Sequence, residues 1–530
     1  MPLALDTILD KRHIRCGWEI PSVNYSDQPY VVIADDGAWV CTMTTAPGDE
    51  GDRGQHVVCM RSTDQGRTWS DPVRLEPADG RENSYSVLLK TPSGRIYCFY
   101  NHNTDNLREV IADDPPYAGG INRRMDCVGY YVFRYSDDHG RTWSPKRYNV
   151  PVRLFEIDRE NPYGGEIRFF WNVGRPFIYD GAAYLSLHKV GRYGYGGFAR
   201  SEGVLIKSDN ILTEPDPDRI RFETLPEGEI GLRAPAGGGP VAEEQSYTVL
   251  SDGSFFVVYR TIDGHPAFAY SRDRGRTWSA PRYLRYDDGR LVKHPRAANF
   301  IWRLQNGKYL YWYHNHGGRG YEDRNPVWLC GGIEGDSPDG RIIRLSQPEI
   351  VLYDDDPFIR MSYPDLIEDG GKVYLSETQK DIARIHEIDP TLLEGLWNQF
   401  DAKEVATEGL LLELPGRAES SGSESPVSES PRSESPSSAD SHGGAGKGAP
   451  SGAAGMPKEV PAPSLPRFVA PDYTYVDHLG KDLRAGFSVD FWLRLNDLAE
   501  GQVIADNRTE SGQGFCIRTT AKASLEIIIN

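Results

Sequence analysis

The 530-residue chain has no cysteine spacing of the kind that makes a disulfide frame or a zinc site. Its seven cysteines, at 16, 41, 59, 98, 127, 330 and 516, form no Cys-x-x-Cys pair, and several sit in apolar runs such as His56-Val-Val-Cys59-Met60. Buried free thiols are the expectation, with no metal and no other cofactor. Basic charge is also short: 59 Lys and Arg face 77 Asp and Glu, leaving −18. That balance excludes nucleic acid and anionic membrane as partners, although a local arginine cluster can still attract an anionic ligand. No apolar run reaches the ~20 residues of a membrane span, so membrane insertion is not expected. The start, Met1-Pro-Leu-Ala-Leu-Asp6, meets a charge before any apolar core of signal-peptide length. The compartment stays open, with the cytoplasm slightly favoured.

What the chain has in quantity is turn formers and aromatics: 55 Gly, 37 Pro and 11% Phe, Trp and Tyr. These favour tight turns and packed strands over helices. Three stretches are near copies: Ser62-Thr-Asp64-Gln-Gly66-Arg-Thr68-Trp69, Ser136-Asp-Asp138-His-Gly140-Arg-Thr142-Trp143 and Ser271-Arg-Asp273-Arg-Gly275-Arg-Thr277-Trp278. Each reads S-x-D-x-G-x-T-W, the Asp-box. Asp can bond the backbone ahead of it, Gly can take φ > 0, and Trp can bury a large face beneath the turn. The repeat resembles that of the sialidase (neuraminidase) superfamily, which implies an all-β fold, a six-bladed β-propeller.

A weaker repeat counts the blades: an apolar run, a turn ending in Gly, and a second apolar run. Its glycines are Gly37, Gly94, Gly181, Gly253, Gly307 and Gly370, recurring roughly every 65 residues, as four strands plus long loops require. The boxes fall after these hairpins, on the outer halves of blades one, two and four, and Arg200–Asn210 reads as a degenerate box in blade three. The propeller is expected over residues 18–404, with a short helix near Thr391–Trp397 closing it. Residues 416–466, rich in Ser, Glu, Pro and Gly, cannot bury a core and read as a disordered linker. Residues 467–530 resemble the opening of a laminin-G or concanavalin-like β-sandwich (jelly roll); Phe487–Leu495 alternates as a strand does, and the stretch is shorter than the ~100 residues of a whole sandwich.

A propeller gathers the starts of its inner strands around one pocket. Those positions hold Gln28, Glu82 with Asn83, Arg175, Glu244, Arg296 with Asn299, and Tyr363 with Asp365. Either they pair with one another to fill a buried channel or they face a ligand. The resemblance implies a carboxylate held by three arginines, a Tyr nucleophile assisted by Glu, and an Asp acid/base. Glu244 to Arg260 looks like the family's fourth-blade segment, which makes Glu244 the nucleophile's partner and Arg260 one of the arginines. Ser362-Tyr363-Pro-Asp365 is similar to the final-blade segment opening with the nucleophile, so Tyr363 takes that role. A phenol has a pKa near ~10 and needs an adjacent carboxylate to accept its proton. Glu377 resembles the carboxylate that braces an arginine.

Arg296 is the candidate for the remaining arginine, with Arg175 and Arg360 as rivals. In the loop Gly48–Gln55, where the family carries its acid, Asp52 is nearest in spacing. One departure stands out: the family opens blade one with Arg-Ile-Pro, and here the segment is Asp27-Gln28-Pro29. Gln28 can bond a hydroxyl but cannot neutralise a carboxylate. His314 and His316 lack an evident third ligand and read as loop histidines near the pocket. Trp302, Trp312 and Tyr313 can stack on a sugar or pack a blade.

The resemblance implies a sialidase-like exo-glycosidase acting on a terminal, acidic sugar, with a glycan as partner. A polysaccharide lyase on the same scaffold and a glycan-binding propeller without turnover are the alternatives.

Overall fold

A computed structural model describes residues 10–194, 197–316, 324–356, 358–402, 499–506, 508, 515–522 and 524–529. Six antiparallel sheets follow one another along the first of two compact units, each a propeller blade running from an inner to an outer strand. Blade one is Tyr25–Ile33, Trp39–Ala46, His56–Ser62 and Val73–Arg74; blade two is Asn83–Lys90, Ile96–His102, Tyr130–Ser136 and Tyr148–Asn149. Blade three splits its inner edge into Phe169–Trp171 and Phe177–Tyr179, both paired to Ala182–Val190, followed by Ser201–Ser208 and Glu223–Leu225. Blade four is Glu243–Val249, Phe255–Arg260, Ala267–Ser271 and Arg282–Tyr283. Blade five comprises Phe300–Arg303, Tyr309–Tyr313, Val327–Ser337 and Gly340–Leu345, with Glu349–Leu352 as an extra edge. Ser362–Asp369, Lys372–Thr378 and Ala383–Glu387 make the sixth, whose outer strand is Trp18–Ile20 from the other end of the chain.

That last pairing, Trp18 opposite Ile385 and Ile20 opposite Ala383, closes the ring. The helix expected to do so, found at Pro390–Asn398, instead packs on blade five: Trp397 donates its indole N–H to the Tyr309 carbonyl at 2.9 Å. A helix pairs its backbone groups within itself, whereas a returning strand satisfies the open edge of a sheet, so the strand is the closing element.

The six blade-counting glycines all sit at first-hairpin tips with φ between +58 and +88, a region closed to most side chains. Each Asp-box links the third strand of its blade to the fourth. In the second, Asp138 accepts from Ser136 Oγ at 2.8 Å, Thr142 N at 2.8 Å and Thr142 Oγ1 at 2.6 Å, while Gly140 N donates to Ser136 Oγ at 2.8 Å. The box also wedges against the preceding blade. A Cβ on Gly140 would stand 2.6 Å from Val40 of blade one, and Arg141 pairs with Asp36 at 2.8 Å. Arg276 repeats this towards Glu227 at 2.6 Å, and Arg67 reaches Glu387 at 3.9 Å. In blade three the degenerate box survives as Ser208 bonding Asn210 at 3.4 Å.

The core lies between blades. Val31, Trp39 and Cys41 of blade one mesh with Ile367, Tyr374 and Ile385 of blade six, and equivalent layers fill the other seams. Trp302 and Trp312 belong to such a layer and pack rather than face a ligand. The linker at 416–466 and the strand expected at Phe487–Leu495 lie outside the described residues. Of residues 467–530, the described part is an antiparallel three-stranded sheet: Val503–Asp506, Phe515–Thr519 and Leu525–Ile529. Among the described residues no helix is long and apolar enough to cross a membrane.

Candidate active site

The inner strands of blades one, two, four and six break register at the same point, between Asp27 and Tyr30, Ser84 and Val87, Glu243 and Ser246, and Ser362 and Asp365. Each bulge holds a non-glycine residue at positive φ: Gln28 at 54°, Tyr85 at 61°, Glu244 at 58° and Tyr363 at 46°. Such a conformation costs on the order of 1–3 kcal/mol and persists where packing over-determines it. Its effect is to re-aim one side chain per strand, and two of the four meet. Tyr363 donates its hydroxyl to Glu244 Oε1 at 2.8 Å, and Arg260 donates to the other oxygen at 2.9 Å.

Glu243 extends this pair, with Arg260 Nε at 3.4 Å and Arg296 at 3.3 Å. Arg324 donates to Ser362 Oγ at 2.7 Å, its guanidinium 5.7 Å from the Tyr363 ring. The Lys380 ammonium stands 4.4 Å from the centroid of the same ring and 3.2 Å from both Asp27 and Glu50. Tyr25 donates to Asp27 at 2.7 Å. Beyond Glu50, Arg124 bridges to Tyr85 and Asp126, and Tyr85 itself donates to Asp126 at 2.7 Å.

The electrostatics follow from burial set against neighbours. Burial alone would raise the Glu244 carboxyl, but Arg260 outweighs it and brings the pKa down to about 2. Glu244 is therefore an ionised acceptor at neutral pH. Burial and then the charge of Glu244 push the Tyr363 phenol well above its ordinary 10, keeping it protonated in the free site. For Glu50, Lys380 and then Arg124 overcome burial and hold the carboxyl well below its usual range. Asp27 goes the other way: burial raises it, and Lys380 only partly compensates. Burial pushes His188 down to about 3, so its neutral Nδ1 accepts the Glu244 backbone N–H at 3.2 Å and steadies the bulge.

Of the residues singled out in the sequence, Tyr363, Glu244, Arg260 and Arg296 meet in this cluster. Asp52 does not: it is exposed and folds back on its own loop, accepting from Asp49 N at 3.0 Å, while its neighbour Glu50 reaches inward. Gln28 donates to the Asn172 carbonyl at 2.8 Å. Asp365 accepts from Val31 N at 3.0 Å, Leu366 N at 2.9 Å and Arg175 at 3.3 Å, and Arg175 also holds the Leu366 carbonyl at 2.6 Å. These three tie inner strands together rather than face the Tyr363–Glu244 pair. Glu377 braces Gln379 at 2.7 Å and His386 at 3.2 Å, and no arginine among the described residues. His314 is buried and stacks on His294 at 5.9 Å, and no cluster of metal-ligating side chains occurs among the described residues.

Sequence reading missed Asp27, Glu50, Lys380, Arg324, Glu243, Tyr85, Arg124 and Asp126. Asp27 is a buried carboxylate beside Gln28 on the inner strand of blade one, and Lys380, from the turn after Lys372–Thr378, pairs with it at 3.2 Å.

The family model of the BNR/Asp-box repeat matches residues 134–145, the second box. No curated protein matches the chain. Among solved structures, a protein of unknown function from Dyadobacter fermentans is similar at 18% identity and a TM-score of 0.50, covering 70% of this chain and 97% of its own. The intramolecular trans-sialidase of Ruminococcus gnavus, in complex with oseltamivir carboxylate, shows 14% identity and a TM-score of 0.47 over 70% of this chain and 95% of that one. A leech intramolecular trans-sialidase, complexed with 2,7-anhydro-Neu5Ac, shows 14% identity and 0.49 over 73% and 70%. At such identities the likeness is one of fold, an Asp-box propeller.

Proposed function

We propose that this Asp-box propeller is a retaining, sialidase-like exo-glycosidase that releases a terminal, acidic sugar from a glycan. The reading is carried by one observation: the Tyr363 hydroxyl donates at 2.8 Å to Glu244, whose second oxygen is held by Arg260. A phenol becomes a nucleophile when a fixed carboxylate takes its proton as it attacks. Tyr363 Oη bonds to the anomeric carbon, its proton passes to Glu244, and the glycosidic C–O bond breaks with its electron pair on the leaving oxygen, which takes a proton from the acid/base. Water then attacks the same carbon and returns a proton to the acid/base, while the Tyr363–carbon bond breaks with its electron pair on Oη, which recovers its proton from Glu244. Two inversions give net retention.

The first-blade loop supplies the acid/base through Glu50, the carboxylate of that loop bound to Lys380 and Arg124. In the free site these two cations keep it ionised, so it donates a proton only where the bound substrate, by excluding water, raises its pKa. That same restraint favours a second reading, a glycan-binding propeller without turnover. Following the anomeric configuration of the first-formed product by proton NMR tests the proposal. Retention, with turnover lost in Tyr363→Phe, is expected; inversion, or full activity in Tyr363→Phe, would sink it.

A further inference from the structure

Among the described residues, the charges around Tyr363 are largely matched. Arg260 is bound to both Glu243 and Glu244, Arg296 to Glu243, and Lys380 to both Asp27 and Glu50. Arg324 alone of these cations has no carboxylate partner among the described residues, its contact being Ser362 Oγ. All of these groups except Glu50 are buried.

We infer that the pocket takes an aldopyranosyl residue, a sugar with hydrogen on the attacked carbon and at most one acidic group, borne elsewhere on the ring and met by Arg324. It excludes an ulosonic acid, whose carboxylate sits on the attacked carbon itself. The inference rests on Tyr363 as the nucleophile. A carboxylate on that carbon arrives beside Tyr363 Oη and therefore beside Glu244, 2.8 Å from the same oxygen. Binding it well takes more than one guanidinium whose charge is not already matched. The charges of Arg260 and Arg296 are matched by Glu243 and Glu244, which leaves Arg324 alone among the described residues, and Asp27 adds a further carboxylate beside Lys380.

Lys380 cannot be recruited cheaply. Turning it to a new anion would leave Asp27 and Glu50 as uncompensated like charges. Its backbone is pinned as well, at φ +83°, with its carbonyl accepting from Ser26 N at 2.9 Å and its N–H donating to Thr378 Oγ1 at 2.9 Å. Hydrogen on the attacked carbon needs no counter-charge. Ring hydroxyls suit what remains, because Arg296 Nε and Arg324 Nε are buried donors without a hydrogen-bond partner.

The test uses the full chain and methylumbelliferyl glycosides of three kinds: neutral aldopyranosides, aldohexuronides and an ulosonide (N-acetylneuraminide). The best aldopyranosyl substrate should exceed the ulosonide in kcat/KM by about 100-fold or more, the scale of discrimination that an unmatched buried charge gives. Preference for the ulosonide overturns the inference. Two variants move the selectivity ratio in opposite directions. Asp27→Asn frees part of the Lys380 charge and shifts the ratio about tenfold towards the ulosonide, while Lys380→Met shifts it further away. A ratio unmoved, or moved the same way in both, also overturns it, and calorimetric binding of the same panel reads the preference where turnover is too slow. Loss of the preference with a covalent adduct on Tyr363 refutes the specificity alone. An adduct elsewhere with the preference intact refutes the nucleophile.

Discussion

Arg260 sets the protonation of Glu244, and replacing it by Met isolates that effect. In the wild-type protein the Glu244 carboxyl falls from an ordinary 4.5 to about 2 although burial opposes the change. At about 1.4 kcal/mol per pH unit, the preference for the ionised form is about 3 kcal/mol. The sign follows from the lowered value: stabilisation is complete above pH 4.5 and lost as pH falls through about 2. In Arg260→Met the largest charge opposing burial is gone, the pulls of His188 and Arg324 remain, and the carboxyl rises from about 2. The acid limb of the kcat/KM profile then moves to higher pH, because a protonated Glu244 cannot take the Tyr363 proton. Carbon-labelled glutamate NMR reports the same titration directly. Breaking the buried pair also costs about 3–5 kcal/mol of stability at neutral pH, so Arg260→Lys, which keeps the charge, serves as the control and retains the low acid limb. An acid limb unchanged in Arg260→Met would refute the reasoning.

Glu50→Gln should leave turnover of aryl glycosides with acidic leaving groups nearly intact and slow alkyl glycosides about 10²–10⁴-fold, whereas Asp52→Asn should change neither, as steady-state kinetics on matched pairs will show. Asp138→Ala removes three accepted hydrogen bonds from an Asp-box and should lower stability by about 1–2 kcal/mol in urea titration. Against its partial burial, the Thr142 and Ser136 bonds hold the Asp138 carboxyl below 3.8, so the difference from wild type persists above that pH and closes as pH falls through the lowered value. Ile20→Asp puts a charge into the closing pair of strands, where Ile20 is buried against Ala383, and should cost at least about 3 kcal/mol and lower Tm in calorimetry.

The scaffold was legible because its signals are local and repeated. Three eight-residue boxes and six hairpin glycines each specify a turn through residues adjacent in sequence, and the structure puts every one at a blade tip. Closure was not legible, since nothing in Trp18-Glu-Ile20 marks a strand whose partner lies more than 360 residues away. In the candidate site, Tyr363 and Glu244 could be read because each lies at the start of a recognisable inner strand, and Arg260 because it ends the hairpin mate of one. Lys380, Arg324 and Glu50 come from loops, and their positions depend on which way a turn folds. Asp52 and Glu50 are separated by a single glycine, and the fold sends one outward and the other in. Arg175 and Asp365 show the converse: a polar inner-ring position can serve to tie strands across the channel. The bulge that aims Glu244 and Tyr363 has no composition signal, as Gln28, Tyr85, Glu244 and Tyr363 share only their place in the strand.

The nucleophile is tested most directly by trapping it. Incubating the full chain with a panel of fluorinated glycosyl fluorides, which form the glycosyl-enzyme quickly and lose it slowly, and then mapping the adduct by peptide mass spectrometry reads the attacking atom. The account predicts one sugar covalently bound to the peptide carrying Tyr363, absent in Tyr363→Phe. Modification of Glu50, Glu244 or any other residue in place of Tyr363 would contradict it.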